Sequence, residues 1–159
     1  MFYVIDNFLP QDYFKQLQEL VIYNHRFPYY CNKGKVYESD TDYQFTHCLA
    51  IEKEIISDWY KDFIPLFQKL NAHTVERAKI NLQPKTTKIE RSSTHKDYEE
   101  SDIKACCLYL NNNNGYTFFG DDKVYSVENR LVLFNGRTLH GGTTCTDNDL
   151  RVVLNINYF

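Results

Sequence analysis

Hydrophobic positions along the chain change their period once, near Asn71, and that change separates a helical first half from an alternating second half. Behind a short strand at residues 2–5 and a turn at Asp6-Asn7-Phe8-Leu9-Pro10, residues 11–23 place Phe14, Leu17, Leu20 and Val21 at helical spacing. Residues 51–70 repeat the pattern with Ile55, Trp59, Phe63, Leu66 and Leu70, which predicts a second helix kinked or divided at Pro65. Residues 24–47 follow neither period. The rings of Phe27, Tyr29, Tyr30, Tyr37 and Tyr43 mark a long aromatic loop there, readable equally as a lid or as a cap on the core.

After Asn71 the period is two. Ala78, Ile80 and Leu82 alternate with Lys79, Asn81 and Gln83 until Pro84 ends the run. Further strands are expected at 105–111, 116–119, 124–127, 130–134 and 150–158. Asn113-Asn114-Gly115 is a hairpin signal, and Gly120-Asp121-Asp122 marks the next turn. Strands this short and evenly punctuated predict a sandwich or jelly roll rather than a parallel α/β sheet. We therefore expect one domain over 1–159, with 1–74 mainly helical support and loop and 75–159 forming the β core.

Three strands share a further property. Leu150, Val152, Leu154 and Ile156 face one way in the last strand, whereas Arg151, Val153, Asn155 and Asn157 face the other. Tyr109 and Asn111 oppose Leu108 and Leu110, and Asn81 and Gln83 oppose Ile80 and Leu82. One such polar face is ordinarily solvated. Three of them in one half predict a polar cavity between sheets.

Composition narrows the functional classes. The 159 residues are 43% hydrophobic and 16% aromatic, enough for a packed core rich in rings. A net charge of −3 argues against a broad basic surface for nucleic acid. No run approaches the ~20 apolar residues of a membrane span, and the N-terminus lacks the features of a signal peptide. Five cysteines, an odd number with no C-x-x-C pair, suit a reducing compartment and argue against a structural zinc. A cytosolic protein is expected.

The candidate chemistry lies in His95-Lys96-Asp97, His140 and Arg151. On a strand, residues i and i+2 share a face, so this H-x-D would aim an imidazole and a carboxylate into one volume. A second imidazole from His140 completes two histidines and one carboxylate with open positions, the facial triad of non-haem Fe(II) oxygenases. Arg151, eleven residues on, could grip a carboxylate in bidentate fashion. A metal that takes a bidentate anionic co-substrate, with an Arg for its far carboxylate, describes a 2-oxoglutarate-dependent oxygenase. Taken singly, each residue has a bland reading: a solvated His95–Asp97 pair, a turn histidine, a surface Arg151. Taken together they favour a site. His25, His47 and His73 have no carboxylate at strand spacing and read as structural.

At these residues the chain resembles the prolyl-4-hydroxylase-like branch of the Fe(II)/2-oxoglutarate dioxygenases, including compact bacterial and viral forms. Val4-Ile5-Asp6-Asn7-Phe8-Leu9-Pro10 resembles the family's opening, and Thr94-His95-Lys96-Asp97 its H-x-D strand. Leu108-Tyr109-Leu110-Asn111 is similar to the strand whose tyrosine hydrogen-bonds the co-substrate. Gly115-Tyr116-Thr117-Phe118-Phe119 is similar to the G-G-x-x-x-F strand, and Arg130-Leu131-Val132-Leu133-Phe134 with Leu139-His140 to the approach to the distal ligand. The resemblance implies a double-stranded β-helix (jelly roll) with supporting N-terminal helices, mainly β within an α+β chain.

It also implies Fe(II) on His95, Asp97 and His140, 2-oxoglutarate on Arg151 and Tyr109, and dioxygen as co-substrate. Decarboxylation to succinate would be coupled to hydroxylation, with a prolyl residue of a peptide or protein as the expected substrate. Asp97 stands where related halogenases carry a small residue, which favours hydroxylation. Two positions depart from the pattern: Gln83 precedes Pro84 where many relatives have tyrosine, and Val153 stands where some have Ser or Thr. With Asn81 they are expected to line the co-substrate pocket. The rival readings are a jelly-roll module that binds metal or ligand without turnover, and an oxygenase of a nucleobase or small metabolite.

Overall fold

The computed structural model describes residues 1–33, 43–99 and 102–159. Two antiparallel sheets face each other. The strands are β1 (Phe2–Ile5), β2 (Tyr30–Lys33), β3 (Tyr43–Ile51), β4 (Glu54–Ile55), β5 (Val75–Pro84), β6 (Lys104–Tyr109), β7 (Tyr116–Phe119), β8 (Asp122–Tyr125), β9 (Leu131–Asn135), β10 (Gly141–Gly142) and β11 (Leu150–Tyr158). The large sheet runs β1-β9-β6-β11-β5-β3-β2, with β4 paired to β3, and the small sheet runs β10-β7-β8. Sequential neighbours are exchanged between sheets, as in the expected jelly roll.

The strand alternation builds two distinct layers. Ala78, Ile80, Cys106, Leu108, Val152, Leu154 and Ile156 turn toward α1 (Gln11–Gln18) and α2 (Ile64–Lys69) and meet Phe14, Leu17, Leu66 and Phe67. Ala105, Cys107, Tyr109 and Val153 turn the other way and meet Phe119 and Val124 of the small sheet. This second layer is apolar near β9 and β6 and polar near β11 and β5. The polar side is where the cavity opens.

The opening segment is locked by one residue. Asn129, buried with φ +60°, donates from Nδ2 to the Leu9 carbonyl and accepts from the Leu9 amide, both at 2.8 Å. Asn tolerates this left-handed backbone better than most side chains. Next to it Arg130 pairs with Asp6. In the β7–β8 hairpin, Gly120 has φ +61°, which the two-residue turn requires.

Several sequence expectations change here. The helix expected over 51–70 is instead the end of β3, a tight Glu52-Lys53 turn, β4, a 3₁₀ turn at Asp58–Phe63, and α2. Glu52 and Lys53 both take positive φ, so neither Asn nor Gly announced that hairpin. Ser57 caps the 3₁₀ turn by accepting from the Trp59 amide at 3.2 Å. Pro65 falls in the first turn of α2, where its missing N–H has no helical partner to lose.

The first half is accordingly less helical than its periodicity suggests. Part of the expected aromatic loop forms β2 and β3, while residues 34–42 lie outside the described residues. The helix expected over 11–23 is present as α1, continued by a π-helical turn at Glu19–Tyr23. Asn113-Asn114-Gly115 does not close a hairpin, because β6 and β7 belong to different sheets. No helix among the described residues is long and apolar enough to cross a membrane.

Candidate metal centre and anion pocket

His95 and Asp97 do not sit on a regular strand. Their segment runs beside the β9–β10 connection through two isolated bridges, Arg91 with Thr143 and His95 with His140. Backbone hydrogen bonds of 3.0 Å run in both directions between His95 and His140, and the Asp97 amide donates to the Gly136 carbonyl at 3.0 Å. This achieves what a strand would: His95 and Asp97 face the same volume.

Gly141 matters on the other side. A Cβ at Gly141 would collide with the Phe118 ring, so only glycine lets β10 approach β7 and present His140 beside Phe134.

The ligand atoms of His95, Asp97 and His140 lie within 4.8 Å of one another. His95 Nε2 is 3.7 Å from Asp97 Oδ1, and His140 Nε2 is 4.0 Å from Asp97 Oδ2. His140 donates from Nδ1 to the Thr138 carbonyl at 2.8 Å, which leaves Nε2 with its lone pair toward Asp97. Burial lowers the His140 pKa despite the nearby Asp97 charge, so the ring stays neutral and able to ligate.

Asp97 is buried, and burial alone would raise its pKa. His95, the Arg77 guanidinium, His140 and the Asn157 amide outweigh that and hold the carboxyl well below the usual range. Two imidazoles and an ionised carboxylate, open on one side to a cavity, form a donor set that fits Fe(II).

The cavity measures about 200 Å³, and its wall includes all three candidate ligands together with Asn81, Gln83, Val153 and Arg151. Arg151 is 5% exposed. It donates from Nε to Ser126 Oγ at 3.0 Å and lies over the Tyr109 ring, with Cζ 5.7 Å from the centroid. Among the described residues no carboxylate pairs with it, and burial pushes its pKa down. A buried guanidinium without a counter-charge is costly unless an anion completes it.

The side-chain oxygens of Asn81 and Gln83 are buried without a hydrogen-bond partner, and these amides face the same cavity. Since the oxygen and nitrogen of an amide exchange by a simple flip, either group can donate to an anion. The pocket therefore also fits a carboxylate held by Arg151. Tyr109 stands behind Arg151, its hydroxyl donating to the Val124 carbonyl at 3.1 Å.

Sequence reasoning missed Arg77. It donates from Nη2 to Asp97 Oδ1 at 2.7 Å and from Nε to Asn157 Oδ1 at 3.0 Å, while Asn157 Nδ2 donates to Asp97 Oδ2 at 2.9 Å. The signal was available, because Arg77 continues the face of Lys79, Asn81 and Gln83 two residues earlier on β5. His47 bears out its structural reading: it is buried between the Pro28 carbonyl at 2.7 Å and Ser57 Oγ at 2.8 Å.

No protein-family sequence model matches the chain, and no curated protein matches it by sequence. Solved structures do match in fold. An oxidoreductase of the 2OG-Fe(II) oxygenase family from Burkholderia pseudomallei superposes with a TM-score of 0.73 at 10% identity, covering 99% of this chain and 84% of that one. A Pseudomonas putida prolyl-4-hydroxylase gives 0.65 at 15% identity, covering 99% and 91%. A Trichoplax adhaerens prolyl hydroxylase in complex with a hypoxia inducible factor oxygen degradation domain peptide fragment gives 0.64 at 13% identity, covering 99% and 83%. The chain thus has the double-stranded β-helix fold of the 2OG-Fe(II) oxygenases.

Proposed function

We propose that this protein is an Fe(II)- and 2-oxoglutarate-dependent hydroxylase. The observation that carries the reading is the buried, uncompensated Arg151 on the same cavity wall as His95, Asp97 and His140. The three side chains would hold iron, which together with 2-oxoglutarate supplies oxygen activation coupled to decarboxylation. Arg151 would take the far carboxylate of the co-substrate, steadied by Ser126 and Tyr109. The Asn81 and Gln83 amides would complete that carboxylate's hydrogen bonds, and Val153 supplies an apolar wall between polar neighbours.

A prolyl residue of a peptide or protein is the substrate class we favour, supported by the prolyl hydroxylases among the fold neighbours, one of them holding a peptide fragment. The test is anaerobic titration of the Fe(II)-loaded protein with 2-oxoglutarate, watching for the visible metal-to-ligand charge-transfer band. The band should appear in the wild type and be absent in Asp97→Ala and His140→Ala, with His140→Ala losing iron. Normal iron loading of His140→Ala would contradict the ligand assignment. Iron binding without the band, or without succinate on aeration, would favour a non-catalytic binding module.

A further inference from the structure

One cation in the cavity is left over by this reading. Lys79 lies on β5 opposite Cys48 of β3 and Asn155 of β11, and its side chain lines the cavity. Among the described residues its ammonium makes no hydrogen bond and no ion pair. Burial and the adjacent Arg77 both act to lower its pKa, a tendency that a bound anion would reverse. A half-buried ammonium without an ion pair is well placed to take an anionic partner.

The charges on the cavity wall point the same way. Asp97 is the single carboxylate among the described lining residues, against Arg77, Lys79 and Arg151. Iron and 2-oxoglutarate carry opposite charges of equal size, so loading the site does not remove the cationic surplus. Arg77 is already answered by Asp97, and Arg151 would be answered by the far carboxylate of 2-oxoglutarate. Lys79 has nothing.

Its place along the strands separates it from the Arg151 end. Lys79 faces Asn155, four residues along β11 from Arg151, or about 13 Å of strand. It is next to the Arg77–Asp97 pair, the end at which a substrate must meet the metal. Asn155 accepts from Cys107 Sγ through Oδ1, which leaves its amide nitrogen free to donate beside Lys79.

We propose that Lys79, helped by Asn155, docks a carboxylate carried by the substrate, so that the molecule hydroxylated is an acid. This rests on the oxygenase reading for the position of the metal end. A small carboxylic acid, or a peptide segment presenting its terminal or side-chain carboxylate, has this chemistry. A neutral, proline-rich stretch does not.

The test compares N-acetylated amino acids with their primary amides, the prolyl pair among them, by calorimetry on the anaerobic Fe(II) protein with and without 2-oxoglutarate. At least one acid should bind about tenfold or more tightly than its amide, the scale of a charged hydrogen bond. Lys79→Met should reduce the acid to the level of its amide, Lys79→Arg should keep the preference, and 2-oxoglutarate affinity should stay within about twofold.

The proposal is overturned if no acid exceeds its amide in the wild type, or if Lys79→Met leaves the preference intact. It is overturned too if Lys79→Met weakens 2-oxoglutarate by about tenfold, which would assign Lys79 to the co-substrate. A wild-type protein that binds no 2-oxoglutarate sinks the oxygenase reading. The comparison made without 2-oxoglutarate still decides the role of Lys79.

Discussion

Arg77 and Asp97 are joined by a 2.7 Å charge-assisted hydrogen bond, and Asn157 closes the group by bonding to both. Both carboxylate oxygens thus have a donor before any metal arrives. Such partners orient a ligand and set its basicity, and their loss commonly costs 10–100-fold in metal affinity. Arg77→Met should therefore weaken Fe(II) binding by about that factor, with Arg77→Lys in between. Equal Kd values for wild type and Arg77→Met would remove Arg77 from the metal's support.

Arg151 should behave as a ligand-binding cation and not as a structural one. Arg151→Met is expected to lower 2-oxoglutarate affinity at least about tenfold while leaving the melting temperature of the free protein unchanged or higher. Leu154→Ala, three residues along β11 on the opposite face, should do the reverse. Its fully buried side chain predicts a loss of about 2–5 kcal/mol of stability. Chemical denaturation alongside calorimetry separates the two.

Gly115 guards the position of Arg151. A Cβ at Gly115 would lie 2.6 Å from Arg151 Cδ and 2.8 Å from the Thr144 carbonyl. Gly115→Ala should weaken 2-oxoglutarate and spare iron. A variant that binds both as tightly as wild type would show that Arg151 has room to shift without cost.

Stability should also depend on pH through His47. Burial lowers its pKa, with the Pro28 contact opposing that shift only in part. A group with a depressed folded pKa contributes stability that is present above its unfolded value of about 6.5 and is lost as pH falls through the folded one. The melting temperature should therefore drop on acidification below about pH 6.5, and His47→Phe should flatten that slope. An unchanged slope would mean that other groups set the acid limb.

The parts of the fold and site that could be read from sequence are those written by alternation. On β5 and β11 every second residue is apolar, so the core face and the cavity face were both visible, Asn81, Gln83, Arg151 and Val153 included. Residues 51–70 misled because Phe63, Leu66 and Leu70 carry a true helical stripe, whereas Ile51 and Ile55 sit exposed around a turn made without Gly or Asn. The His95–Asp97 pair was legible as i, i+2 geometry. That it is held by bridges to His140 and Gly136 depends on segments about forty residues away, which local pattern does not encode. Arg77 was overlooked because a charged residue near a strand start reads as solvated until its partner is seen.

The alternation of β11 has a consequence for how such a protein can change over time. Val152, Leu154 and Ile156 commit the fold, and Arg151, Val153 and Asn155 on the other face line the cavity. Single substitutions on the ligand side can revise what is bound while the apolar side keeps its register. An inserted or deleted residue would exchange the two sets at one stroke and destroy both. Diversification at this strand should therefore proceed by replacement alone, with length held constant.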